Sequence, residues 1–129
     1  MATGVGTSGL AYIVNWVGGI GGTAATTYVA VGTSSTAWTS DQTALIAETT
    51  GNGLDRASVT PTAQTTNVAG DTLQLQKVFT VSGAVTVAEA GAFNAAYPSG
   101  TMLCRGVFSP TKSVTAGDTF TCTIKIVFS

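Results

Sequence analysis

The chain contains no histidine. That removes the commonest general base, metal ligand and triad member at one stroke. Two cysteines without histidine cannot complete a four-ligand zinc site, and no calcium-loop spacing of Asp and Asn occurs. No GKS or GKT follows a glycine run, so a phosphate-binding loop is absent as well. No cofactor, metal or catalytic residue is expected, and the chain reads as a non-enzyme. Charge is also scarce: Asp, Glu, Lys and Arg make up 9% of the residues, against roughly 25% in ordinary soluble domains. The net charge is -1 and the basic residues are scattered singly, which excludes the electrostatic footprint of a nucleic-acid binder. So little charge gives little colloidal repulsion, a composition that suits a subunit held in an assembly. The opening MATGVGTSG has no basic region and no long apolar run follows it, so neither a secretory signal nor a membrane span is expected, and synthesis in the cytoplasm is.

What the chain has in quantity is threonine, about one residue in five, and glycine, 16 residues in 129. Threonine suits the solvated face of a strand and glycine suits turns. The length fits one domain, residues 1–129. The stretch SGLAYIVNWVGG places Leu10, Ile13, Val14 and Val17 at helical spacing, with Thr7 or Ser8 to cap and Gly18 to stop it. The glycine run GGIGGTA follows that helix and opens a strand, the reverse of a dinucleotide loop. YVAVGT is a strand, and STAWTSDQTALIAE is expected to be a loop anchored by Trp38 that leads into a short helical turn capped by Ser40 or Asp41. Pro61 confines the RASVTPT strand to a sheet edge or a bulge.

DTLQLQKVFTV alternates Leu73, Leu75, Phe79 and Val81 against polar neighbours. DTFTCTIKIVF alternates Phe120, Cys122, Ile124, Ile126 and Phe128 against Thr119, Thr121, Thr123 and Lys125. Parity puts Val85, Val87, Glu89, Gly91 and Phe93 on one face of the strand between them. The fold class is mainly β: an antiparallel β-sandwich or flattened barrel with a short N-terminal helix and one short helical turn. Residues 1–7 are expected to form a flexible arm. Cys104 and Cys122 both fall in strands, where cysteine serves as a small buried hydrophobe; neighbouring strands would also permit a disulfide, which a reducing cytosol opposes.

Glu89 is the anomaly, a carboxylate inside the apolar run VAEAGAF. Burying it is costly unless it is paired. As half of a glycosidase pair its only glutamate partner is Glu48, with no sugar platform beside them. The alternative is that Glu89 accepts hydrogen bonds from a turn or pairs with Arg56 or Arg105, fixing strand register; both guanidiniums suit bidentate capture of a carboxylate. Among the aromatics, Tyr97 with Pro98 in the AAYPSG turn is the expected surface contact.

Read in order, the strings YVAVGTSSTAWTSDQTALIAE, LDRASV, VAEAGAFNA, GTMLCRGVF and AGDTFTCTIKI resemble a family of small tailed-bacteriophage virion proteins, of the head-decoration or tail-fibre-like kind. The matching residues are Gly32 and Thr33; Thr43, Leu45 and Glu48; Arg56; Glu89, Ala90, Gly91, Phe93 and Asn94; Gly100 to Leu103, Arg105 and Phe108; and Gly117 to Thr119. The resemblance implies a virion structural role without catalytic residues. The expected form is a capsid decoration or cement protein bound to the major capsid protein and homo-oligomeric on the particle. A tail, baseplate or collar accessory, or a carbohydrate-binding host-recognition module, is the alternative.

Overall fold

The computed structural model describes residues 3–128. In chain order the elements are β1 (Thr3–Gly4), α1 (Thr7–Val17), β2 (Tyr28–Gly32), β3 (Ala57–Ser58), β4 (Thr62–Gln64), β5 (Thr72–Thr80), β6 (Val85–Phe93), β7 (Met102–Val114) and β8 (Thr119–Val127). They form two antiparallel sheets, β1-β7-β6-β2-β3 and β4-β5-β8. Neither closes on itself, so the fold is an open sandwich and the flattened barrel is set aside. Val29 and Val31 of β2, Leu103 of β7, Leu75 and Phe79 of β5 and Cys122 of β8 meet in the core between the sheets.

The β8 alternation is as the sequence predicts through Ile126: Cys122 is buried, Phe120, Ile124 and Ile126 are half-buried, and the intervening threonines face solvent. Phe128, expected to face in, lies past the strand end and is exposed. Pro61 falls where the chain leaves one sheet for the other, between two short edge strands, β3 and β4. Its missing N–H therefore interrupts no ladder.

Four expectations are corrected. The first concerns β6. A register irregularity between Val87 and Glu89 switches the face. Val87, Ala90 and Ala92 point into the inter-sheet core, while Phe93 joins Ala30, Leu45 and Met102 in a second cluster on the outer face of the larger sheet. Strict parity fails because a bulge inserts one residue into the count. Secondly, residues 41–47 form no helical turn; they are irregular backbone laid over that outer face. Thirdly, the N-terminal segment is not a free arm throughout. Thr3 and Gly4 pair with Gly106 and Arg105, and Gly4 lies under the half-buried Trp38 ring, where a Cβ would collide with it. Met1 and Ala2 lie outside the described residues.

The fourth correction is α1. No side chain caps it: the Thr7 N–H donates to the Ser40 carbonyl at 2.9 Å, and Gly6 occupies the cap position. Gly18 ends it as expected. The helix docks through Gly9, Tyr12 and Ile13, because Gly9 sits so close to the Leu103 carbonyl that a Cβ would clash. The Tyr12 hydroxyl donates to the Ala24 carbonyl at 2.7 Å and accepts from Thr26 at 2.8 Å. Of the expected core stripe only Ile13 is packed, and Leu10, Val14 and Val17 are 57%, 64% and 75% exposed. Close backbone approach at a glycine, rather than the apolar stripe, decided the docking face.

Candidate functional site

Both arginines and both glutamates of the chain lie in two ion pairs on the outer face of the larger sheet. The Arg105 Nε donates to Glu89 Oε2 at 2.6 Å, and both side chains are fully buried. Glu89 also accepts the backbone N–H of Ile46 at 3.1 Å and of Ala47 at 2.7 Å. Arg105 donates further to Gln42 Oε1 and to the Thr36 carbonyl, each at 3.0 Å. Every one of these partners belongs to residues 33–50, so the pair clasps an irregular loop onto the sheet. Gly32 must be glycine here, since a Cβ would strike the Glu89 carboxylate and the Ala47 carbonyl. Gly91 leaves room for Leu45 in the same way.

Arg56 is not the partner of Glu89. It takes Glu48 instead, bidentately, with Nε to Oε2 at 2.9 Å and Nη2 to Oε1 at 2.6 Å. Its Nη1 donates to the Ala95 carbonyl at 3.0 Å and the Ser99 carbonyl at 2.7 Å, and the guanidinium lies 3.6 Å above the Phe93 ring centroid. This second clasp holds the 94–100 turn, which contains a cis Tyr97–Pro98 bond. Asn94 closes that turn by accepting the Thr101 N–H at 2.7 Å. Gly100, at φ +95°, makes the reversal that other residues resist. Tyr97 is 53% exposed, and Pro98 beside it is exposed too.

The aspartates do related work in turns. Asp71 accepts the N–H groups of Thr66, Asn67 and Val68, each at 2.9 Å, which holds its carboxyl well below the usual range. Asp55 accepts from Gly51, and Asp118 from Thr115.

Cys104 and Cys122 are free thiols. Burial pushes Cys104 up to about 11, and burial with the neighbouring Cys104 pushes Cys122 to about 12, so neither is a thiolate at neutral pH. Among the described residues no group of three or more His, Cys, Asp or Glu could hold a metal ion, and no helix is long and apolar enough to cross a membrane. The sequence thus singled out Glu89 with Arg56 and Arg105 as its candidate partners, but not which of the two it takes nor the loop that the pair holds. The signal it offered for the second clasp was the Glu48 and Arg56 pairing of opposite charges in a nearly uncharged chain.

These clasps define a loop-fixing site within a mainly β sandwich. Comparison of the chain with models of protein families, with curated proteins and with solved structures finds no match.

Proposed function

We propose that this chain is a non-enzymatic structural subunit of a tailed-bacteriophage particle, a capsid decoration or cement protein seated on the major capsid lattice through its α1 side. The observation that carries the reading is the uncharged, apolar surface of α1. Residues 1–40 contain no Asp, Glu, Lys or Arg, and Leu10, Val14, Trp16, Val17 and Ile20 are all more than half exposed. A helix apolar nearly all round belongs in an interior, and this one has a covering on one side only. The arginines, the glutamates and the aspartates Asp55, Asp71 and Asp118 are engaged in loop clasps and turns, which agrees with a scaffold rather than a reaction centre. The phage assignment rests on the virion-protein resemblance, whose motif residues Glu48, Arg56, Glu89, Gly91, Phe93, Asn94, Gly100 and Arg105 are the ones that build the two clasps.

The test is to add purified protein to particles stripped of it and measure occupancy, with labelling to tell head from tail. Occupancy should survive high salt and fall at least about tenfold for Val14→Asp, since contact through α1 is apolar. Unchanged occupancy of Val14→Asp, or release by salt alone, would overturn the docking. Glycan binding abolished by Tyr97→Ala would support host recognition instead.

A further inference from the structure

Among the described residues the smaller sheet ends in a strand whose second edge is unpaired: β8 is nine residues long and bonds there only to β5. The parity of its backbone is fixed at both ends: the Phe128 N–H donates to the Asp71 carbonyl and the Val81 N–H to the Asp118 carbonyl, each at 2.9 Å. Even-numbered residues therefore bond to β5. Thr119, Thr121, Thr123, Lys125 and Val127 turn their N–H and C=O groups to the open side. Long, regular, unpaired edges are templates for another strand.

A second observation lies beside the first. An apolar slot of about 310 Å³ opens along this edge, between Cys122, Ile124 and Ile126 of β8, Cys104 and Phe108 of β7, and Val5 in the link from β1 to α1. Ile124 and Ile126 are only half-buried because no further strand covers them.

We infer that β8 pairs with β8 of a second copy of this chain, antiparallel about a two-fold axis at Thr123, joining two three-stranded sheets into one of six strands. This goes beyond the particle-docking reading and uses a different surface from α1. The occupant follows from self-complementarity. With the axis at Thr123, residue 119 meets 127, residue 121 meets 125 and residue 123 meets itself, so every outward backbone group finds a partner. The strand carries a single charge, and this register sets Lys125 opposite Thr121 rather than opposite its own copy. On the solvent face threonine lies across from threonine at the axis, a favourable cross-strand pair. On the inner face the Ile124 and Ile126 side chains of each copy extend over the mouth of the other's slot. A net charge of -1 leaves little repulsion between copies.

The experiment is the mass of the full-length protein by sedimentation and light scattering across concentration, with hydrogen exchange. A dimer is expected in the wild type, with the Thr121, Thr123 and Lys125 amides gaining protection as it forms. Thr123→Pro removes an outward N–H and the exposed hydrogen bond that the Gln76 amide donates to the Thr123 hydroxyl at 2.8 Å, so it should weaken the dimer at least about tenfold. Thr123→Val, which lacks that hydroxyl but keeps the N–H, should keep the dimer and reports what the lost side-chain bond does to the dilute melting curve. Thr123→Lys opposes like charges at the axis and tests the same contact without touching the backbone. Its mixture with Thr123→Glu should associate again. A wild type that stays monomeric at high concentration would overturn the inference. So would a dimer that survives both Thr123→Pro and Thr123→Lys, one lost with Val14→Asp instead, or a Lys and Glu mixture that fails to associate. Particle occupancy is read separately, so failure here and failure of the α1 docking are told apart.

Discussion

On the outer face of the larger sheet, Glu89, Gly91 and Phe93 lie beneath residues 33–50; on the smaller sheet, Thr119, Thr121, Thr123 and Lys125 meet solvent directly. The inner faces of the two sheets are built alike, from alternating apolar side chains. The difference outside comes from backbone accounting. An irregular loop pressed on a sheet cannot satisfy its own N–H and C=O groups, and leaving them unpaired and dry costs about 1–3 kcal/mol each. Glutamate supplies acceptors and arginine supplies a fork of donors, so the chain's two glutamates and two arginines stand where the covering loops need them. Elsewhere a threonine surface needs no such help. The carboxylate in an apolar run is thus a backbone partner first and half of an ion pair second.

The comparison breaks most sharply at the buried clasp. Glu89→Ala leaves Arg105 uncompensated and two N–H groups without acceptors, and should cost on the order of 3–5 kcal/mol in denaturant unfolding. Replacing both members by apolar residues, Glu89→Met with Arg105→Leu, should recover only part of that loss, because Ile46, Ala47 and Thr36 still lack partners. Full recovery would show that the loop does not depend on the pair. The second clasp is slightly more exposed, and Glu48→Gln should cost about 1.5–3 kcal/mol in the same assay. Arg56→Lys should not replace arginine there, since an ammonium cannot serve a carboxylate fork, two carbonyls and a ring face together.

Asp71 sharpens the contrast through pH. Its folded carboxyl titrates below the unfolded value of about 3.9. Its contribution is therefore complete above that value and is lost as pH falls further through the folded one. Wild type should exceed Asp71→Asn in melting temperature at pH 6, with the gap closing below about pH 4. The smallest effect belongs to the bare threonine face: Thr121→Ala should change the stability of the dilute protein by less than about 0.5 kcal/mol.

Much of this was legible in the sequence, for reasons that differ by element. β5 and β8 were readable because each keeps one face wet and one dry, the condition under which period-two alternation survives. β6 is buried on both faces, so its pattern carries no face label and the bulge after Val87 passed unseen. Glu89 and its two candidate arginines stood out against a nearly uncharged background. The choice between them was set by register, which places Arg105 opposite Gly91 and diagonal to Glu89. Residues 41–47 resemble a helix start locally, but Ile46 and Ala47 give their N–H groups to Glu89, a partner 43 and 42 residues away that no local pattern reveals. For α1 the stripe of Leu10, Val14 and Val17 suggested the wrong face, because Gly9 decides how near the helix can come to β7.

The buried clasp also sets an order of events during folding. β6 and β7 are consecutive in the chain and can zip together early, whereas Arg105 reaches the Thr36 carbonyl across 69 residues. Closing so long a loop gains little until the hairpin that carries both charges exists. The 33–50 segment is therefore expected to dock late, onto a sheet already formed, and to be the first part to lift away, which hydrogen exchange of the Ile46 and Ala47 amides would check. Weakening the clasp should shorten the lifetime of the native state while leaving the speed of its formation nearly untouched, as folding and unfolding rates of Glu89→Ala would show. The Glu89–Arg105 pair is then expected to act as a brake on unfolding.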